Sequence, residues 1–414
     1  MKNTIVLGLL RGDEGKGKIV DYLSDEHDII IRFQGGPNAG HTIYRDDIKC
    51  VLHQIPSGIL NKKICVIGHG CLIDPKKLMN EIEMLCNTFQ FDLDYIKEHL
   101  KVARGCHVIF PEHIKQDTKR ENAGKGNGST KCGISPAYRD KYYREGSRMT
   151  DLFKISGENY KEICKTFELT EAEYYFIEQL LIDDTYYLNY ECEDKNLLFE
   201  GAQGVFLDID SPVYPNVSSS HVNVGGVIAG TGISYKRLNQ NLHIVGIAKG
   251  YMSSVGVGNF LTEIKDQKDA EYLRKINNEY GATTGRPRKI GYLDLPMIKH
   301  AVDTIGVTEL CLTRLDTVYD MFKLRKEFPV CVDYAKIIAD EILIDDKLSW
   351  FDLDEYKPVY KKFDLWEKCS LSDKNFQKFI KYIEDYLEIP VKYISCGKEK
   401  TDLIVTDRLN GELI

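Results

Sequence analysis

Thr4-Ile5-Val6-Leu7-Gly8-Leu9-Leu10 runs directly into Arg11-Gly12-Asp13-Glu14-Gly15-Lys16-Gly17-Lys18, and from Ile19 to Leu23 an apolar pattern resumes. A short run of aliphatic and β-branched residues predicts a buried strand, the glycines a loop, and the resumed periodicity a helix. Further apolar runs at Ile29 to Phe33, Ile64 to Ile67, Leu197 to Phe199, His243 to Ala248 and Glu309 to Leu312 are each bounded by Gly, Pro or a charge. Spaced strands with helical patterns between them predict an α/β fold around a mostly parallel central sheet. Tyr160 to Phe167 and Thr170 to Leu181 repeat apolar residues every three or four positions, which predicts a helical insertion over about 152–190. The stretch 335–390 is rich in lysine, aspartate and tyrosine and lacks a glycine cluster, so its charge runs read as solvated helix faces. No repeat or low-complexity linker separates two halves, and a single domain is expected over 1–414.

The 414 residues carry 55 Lys+Arg against 63 Asp+Glu, a net charge of −8, and 43% of them are hydrophobic. That balance places the chain among globular proteins and speaks against nucleic acid as a partner, because a broad basic surface needs clustered cations. No run approaches the roughly 20 apolar residues of a membrane span, and Thr4 to Leu10 is too short for a secretory core. The twelve cysteines are scattered, with no C-x-x-C pair, and read as reduced thiols of a cytoplasmic protein.

Gly12 to Lys18 satisfies G-x-x-x-x-G-K, but Ile19 stands where such loops carry the Ser or Thr ligand of magnesium. The glycines still let backbone N–H groups approach phosphate at a helix N-terminus, and Lys16 and Lys18 add charge. Asp13 and Glu14 are unexpected there. A carboxylate repels a triphosphate unless it binds magnesium or takes a proton from a reacting group, and Asp13 is a candidate for either role. A solvated charged turn is the alternative. Gln34-Gly35-Gly36-Pro37-Asn38-Ala39-Gly40-His41-Thr42 follows the second strand, where ligands of open α/β sheets bind. His41 is a candidate proton donor or charge stabiliser near phosphate, and the Gly40 carbonyl a candidate metal ligand.

Thr313-Arg314-Leu315-Asp316 resembles the element by which many GTP-binding proteins read guanine: a carboxylate accepts two hydrogen bonds, matching the N1–H and 2-amino donors. A T-x-x-D helix cap fits the same four residues. Gly281-Ala282-Thr283-Thr284-Gly285-Arg286-Pro287-Arg288 places two hydroxyls and two guanidiniums in a glycine-punctuated loop suited to a dicarboxylate or phosphate. Gly128-Ser129-Thr130-Lys131, with Arg139, Lys141 and Arg144, is a second anion-friendly segment or a polar turn. Glu200-Gly201-Ala202-Gln203-Gly204 offers an amide that can donate and accept at a purine edge.

Taken together and in this order, these segments resemble the adenylosuccinate synthetase family, joined by Val51 to Leu60, Pro136 to Lys141, Tyr214 to Ser220 and Ser395-Cys396-Gly397. The resemblance implies a ligase that couples GTP cleavage to the joining of IMP and L-aspartate, with Mg2+, in AMP biosynthesis. It implies that Asp13, His41, Lys16 and Gln203 carry the chemistry, and that Asp13 and Gly40 hold the metal. GTP contacts fall on Gly12, Glu14, Gly15, Lys16, Gly17, Lys18, Gly40, Thr42, Arg288, Arg314, Leu315, Asp316, Ser395, Cys396 and Gly397. Asn38, Ala39, Ser129, Thr130, Arg144, Gln203, Ser218 and Arg286 are implied for IMP, and Thr283, Thr284, Gly285, Arg286 and Arg288 for L-aspartate. Arg144 is implied to reach the partner's site in a homodimer.

The sequence departs from the family's usual pattern at Leu10-Arg11 (Gln-Trp), Lys131-Cys132 (Gly-Arg), Ser218 (Thr), Arg314 (Lys) and Cys396 (Thr). A related branch joins aspartate to dGMP and tends to lose the loop aspartate, so Asp13 favours IMP. A non-catalytic GTP-binding regulatory protein is the alternative from another class; it leaves Asp13 and the Thr283 to Arg288 loop without purpose.

Overall fold

A computed structural model describes the chain apart from residues 46, 127, 154–158, 256–257, 259, 282–284, 324–325, 339–340, 345–347, 407, 410–411 and 414; for the rest of 337–347 and 407–414 it describes backbone only. The residues divide into two compact units, each assembled from separate stretches of chain: Met1–Val6, Lys16–Gln203 and Ser218–His243 in one, Leu7–Gly15, Gly204–Val217 and Ile244–Ile414 in the other. Both have the expected α/β character.

The opening strand β1 (Asn3–Gly8) is buried throughout and gives way, after the glycine loop, to helix α1 (Lys16–Leu23). In the first unit the parallel strands β2 (Ile29–Arg32), β3 (Ile64–Ile67) and β4 (Leu100–Ala103) lie side by side. Helix α2 (Ile134–Tyr143) precedes the short β5 (Leu181–Ile182), which pairs with β4, and β6 (Leu197–Gly204) pairs with the other edge of β2. Every residue of β2 is buried, as befits a parallel strand covered on both faces. In the second unit β7 (Leu242–Lys249), β8 (Glu309–Thr313) and β9 (Val391–Ser395) are parallel, and β10 (Leu403–Val405) closes that edge antiparallel. Register brings Glu200 opposite Arg32 in one unit, and Lys249 opposite Thr313, itself opposite Ser395, in the other. The polar residues thus collect at the carboxyl ends of the strands, where ligands of open α/β sheets bind.

Two stretches differ from their sequence reading. Between 149 and 191 helices do occur, at Met149–Leu152, Tyr160–Phe167, Glu171–Gln179 and Asp184–Tyr186, but β5 lies among them. Thr170 caps the third by a reciprocal exchange with Glu173. The charged stretch 335–390 is corrected from helix alone to sheet followed by helix: Glu327–Ile338 pairs antiparallel with Glu341–Ile344 and Tyr356–Asp364, while α3 (Lys374–Leu387) is helical as expected. Lys357, Lys361 and Lys362 stand exposed on a strand and Lys374, Lys378 and Lys381 on the helix, while Phe328, Trp366, Phe376 and Phe379 pack beneath. Among the described residues no helix is long and apolar enough to cross a membrane. None of the twelve cysteines is in a disulfide.

Candidate active site

In the second unit the glycine loop is built around Glu14. Its carboxylate, 1% exposed, accepts hydrogen bonds from the backbone N–H of Gly12 at 2.7 Å and of Leu10 at 3.3 Å. A Cβ on Gly204 would stand 2.4 Å from the Leu10 carbonyl and 2.7 Å from Glu14 Oε1, so only glycine closes the loop from behind. Thr313 Oγ1 donates to the Glu14 carbonyl at 2.8 Å, tying the end of β8 to the same turn. Glu14 therefore braces the loop with its side chain. Asp13, in the left-handed region at φ 61, turns the other way with its side chain 35% exposed.

Arg288 Nη2 lies 2.9 Å from Asp13 Oδ2, and its Nη1 donates to Glu279 Oε2 at 2.5 Å. Glu279 also accepts from Lys249 Nζ at 2.8 Å and from the Tyr251 phenol at 2.5 Å. Burial alone would raise the Glu279 carboxyl, but Lys249 and Arg288 outweigh it and hold it down at about 2. Arg314 is engaged as well, its Nη2 donating to the Asn277 carbonyl at 2.5 Å. Leu315 is fully buried and its carbonyl accepts from Trp366 Nε1, so only its backbone can meet a nucleotide. Ser395 is buried at the end of β9, and the Cys396 N–H donates to the Asp402 carbonyl. Gly285 and Arg286 lie in the loop before Arg288, Arg286 accepting from the Gly281 N–H through its carbonyl. Thr283 and Thr284 lie outside the described residues.

In the first unit α1 begins at Lys16, which is buried, and Lys18 follows on the same turn. A Cβ on Gly17 would approach the His41 Cβ to 3.0 Å, so glycine lets the helix start press against the strand His41–Arg45, which also carries Thr42. His41 Nδ1 pairs with Glu200 Oε1, and Glu200 also accepts from the backbone N–H and the hydroxyl of Ser57, both at 2.7 Å. Burial lowers the His41 pKa despite Glu200, while Glu200, which burial alone would raise, is lowered by His41, Arg32 and Ser57. The pair is thus a neutral imidazole donating Nδ1–H to a carboxylate, which leaves Nε2 for a ligand.

Asn38 Oδ1 and Gln203 Oε1 are buried and lack a hydrogen-bond partner among the described residues. Ala39 and Gly40 complete the turn before the strand, the Ala39 N–H donating to the Gly36 carbonyl. The Ser218 hydroxyl meets that of Ser220. The Ser129 hydroxyl donates to Asp117 at 2.7 Å and its N–H to Glu121, which turns it toward the helix Pro111–Asn122; Thr130 beside it is half-buried. Arg144 caps α2 at φ 70 and is exposed beside Tyr142 and Tyr143.

The sequence reading named neither Glu200 as the partner of His41, nor Glu279, nor Thr313 as a brace. Glu200 had a signal: a carboxylate ending the apolar run Leu197 to Phe199 must be paired once buried. Glu279 had none, since its partners come from β7, Tyr251 and Arg288.

A sequence model of the family described as adenylosuccinate synthetase matches residues 5–404. The adenylosuccinate synthetase of Thermodesulfovibrio yellowstonii is 39% identical, over 98% of this chain and 99% of its own. The structure of fully ligated adenylosuccinate synthetase from Plasmodium falciparum superposes with a TM-score of 0.83 at 35% identity, covering 98% of this chain and 99% of that one. The succinoaminodeoxyadenylate synthetase of cyanophage S-2L, bound to dGMP and dATP, shares the fold with a TM-score of 0.63 at 18% identity, covering 98% and 95%. Matched over nearly its whole length, this chain belongs to the adenylosuccinate synthetase family and is a ligase.

Proposed function

We propose that the chain joins IMP and L-aspartate into adenylosuccinate for AMP synthesis, cleaving GTP to GDP and phosphate through a 6-phosphoryl-IMP intermediate. The observation that carries this reading is the contrast between the two loop acids: Glu14 is enclosed by the loop's own N–H groups, whereas Asp13 keeps a partly exposed carboxylate facing Arg288. A regulatory GTP-binding protein has no use for that carboxylate, and its presence favours IMP over dGMP as acceptor.

The purine 6-oxygen is a poor leaving group. Asp13 takes the N1 proton, the 6-oxygen attacks the γ-phosphoryl and GDP departs; the amine of aspartate then attacks C6 and phosphate leaves. His41 meets the γ-phosphoryl through Nε2, whose protonation the phosphate charge favours and Glu200 stabilises. Lys16 and Gln203 hold the 6-oxygen and base, and the buried acceptors of Asn38 and Gln203 suit the N–H groups of a ligand. Ala39, Ser129, Thr130, Ser218 and Arg286 complete the IMP contacts. Thr283, Thr284, Gly285, Arg286 and Arg288 take the carboxylates of aspartate. The loop from Gly12 to Lys18, with Gly40, Thr42 and Arg288, takes the phosphates of GTP, and Arg314, Leu315, Asp316, Ser395, Cys396 and Gly397 take guanine.

Magnesium suits the hard oxygens of the Asp13 carboxylate and the Gly40 carbonyl, and when bound it neutralises phosphate charge. A homodimer accords with the exposed Tyr142, Tyr143 and Arg144 at the end of α2, with Arg144 reaching the partner's IMP phosphate. A cytoplasmic location accords with twelve cysteines and no disulfide.

The test is phosphate release and adenylosuccinate formation from GTP, IMP, L-aspartate and magnesium, omitting each in turn. Omission of any one is expected to stop turnover; phosphate release that ignores IMP and aspartate would return the chain to the GTPase class. Asp13→Asn is expected to bind nucleotide within about tenfold of the unmodified chain while losing most turnover, because an amide cannot accept the N1 proton.

A further inference from the structure

We propose that Glu279 is a positioning residue for this reaction: it fixes one edge of the Arg288 guanidinium so that the other faces Asp13. The inference rests on the functional reading above and assigns a role to a residue that does not itself meet a substrate.

The geometry is that of a hub. Glu279 is enclosed, with Oε2 on Arg288 Nη1 and Oε1 shared by Lys249 Nζ and the Tyr251 phenol. Tyr251 uses its proton on Glu279. The backbone repeats the hold, the Arg288 N–H donating to the Glu279 carbonyl at 3.0 Å. A guanidinium is a planar fork, so fixing Nη1 also fixes the direction of Nη2, which lies 2.9 Å from Asp13.

Charge explains why this is more than a structural pair. Lys249 alone would neutralise Glu279, yet Arg288 is drawn to the same carboxylate and brings one further positive charge, which faces Asp13. Once Asp13 carries the proton of the purine, that charge is left for an anionic group of a substrate. Arg288 Nε, buried and without a partner among the described residues, is a further donor for it.

A double-mutant cycle tests the assignment, because a residue that acts through another loses its effect when the other is removed. Glu279→Gln is expected to raise KM for GTP and L-aspartate about tenfold or more while KM for IMP stays within about twofold, and in an Arg288→Leu background to change GTP affinity, read by titration, less than about twofold. Glu279→Asp is expected to recover part of the loss. Additive losses in the cycle overturn the proposal, and so does a fall in kcat alone with all three KM values unchanged, which is what fewer folded molecules produce. Glu279→Gln leaves Lys249 buried beside a neutral amide, so the cycle is repeated with Lys249→Met in every member, where no buried cation is unpaired. Absence of adenylosuccinate formation by the unmodified chain would sink the functional reading; formation with an additive cycle sinks only the role of Glu279.

Discussion

Asp13, Gln203 and Arg314 all adopt left-handed backbone, at φ 61, 58 and 63, where glycine is the cheaper residue. Each such residue costs on the order of 1 kcal/mol, and holding a functional side chain there offsets no packing need. At Arg314 the turn sends the chain into Leu315–Thr317, with Leu315 anchored in the core. The Arg314 guanidinium is already engaged by the Asn277 carbonyl, so its stem is what remains to lie on a base, and reading guanine falls to Asp316. GTP is therefore expected to exceed ATP by about 100-fold or more in kcat/KM, since adenine would present an acceptor nitrogen to a carboxylate. Asp316→Asn should narrow that ratio mainly by weakening GTP. Equal use of the two donors by the unmodified chain, with IMP, aspartate and magnesium saturating, would refute the reading.

The helix Leu295–Ile305 starts at Asp294, whose carboxylate accepts from the Met297 N–H and, at 2.6 Å, from the Tyr334 phenol. Burial pushes this carboxyl up to about 6, against the hydrogen bonds that favour its charged form. An unfolded aspartate titrates near 3.9, so between about pH 4 and 6 the native state binds more protons than the unfolded chain and stability falls as pH rises. The stabilisation is complete below about pH 4 and lost above about pH 6, on the order of 2–3 kcal/mol. Asp294→Asn keeps both acceptor contacts and removes the buried charge, so its Tm is expected to exceed that of the unmodified chain at pH 7.5, with the difference shrinking as pH falls and closing below about pH 4. A Tm difference independent of pH would count against the assignment. Elements of this kind were legible in unequal degree. Ile29 to Phe33 was plain because a strand buried on both faces is a continuous apolar run. Tyr356–Asp364 was misread because only one face meets the core, Pro358 interrupts its alternation, and its register comes from Glu327–Ile338.

For the molecule as a whole, the proposed dimer makes each site composite. Arg144→Leu and Asp13→Asn, each nearly inactive alone, are expected to regain partial activity on mixing with subunit exchange, because one heterodimer site then carries both native residues. Strictly additive inactivity, with exchange confirmed independently, would place Arg144 in its own subunit's site. Segments bearing chemistry in one continuous stretch, such as Gly12 to Lys18 or Gly281 to Arg288, could be found in the sequence. The partners that tune them could not, because Glu200 lies 159 positions from His41 and meets it only in the folded chain, where the strand register sets Glu200 opposite Arg32.

That register also makes the two ends of the strands unequal for anyone altering the protein. Within each unit the polar residues gather where the strands finish, β2 and β6 in one and β7, β8 and β9 in the other, so the turns by which these strands begin are places to attach things. Glu193, Asp194 and Lys195, exposed just before β6, form such a turn. A short glycine-serine insert or a fluorophore between Glu193 and Asp194 is expected to leave turnover within about twofold, whereas the same insert between Gly285 and Arg286 should abolish it. Comparable damage from both would mean that the beginnings of the strands matter to catalysis as much as their ends.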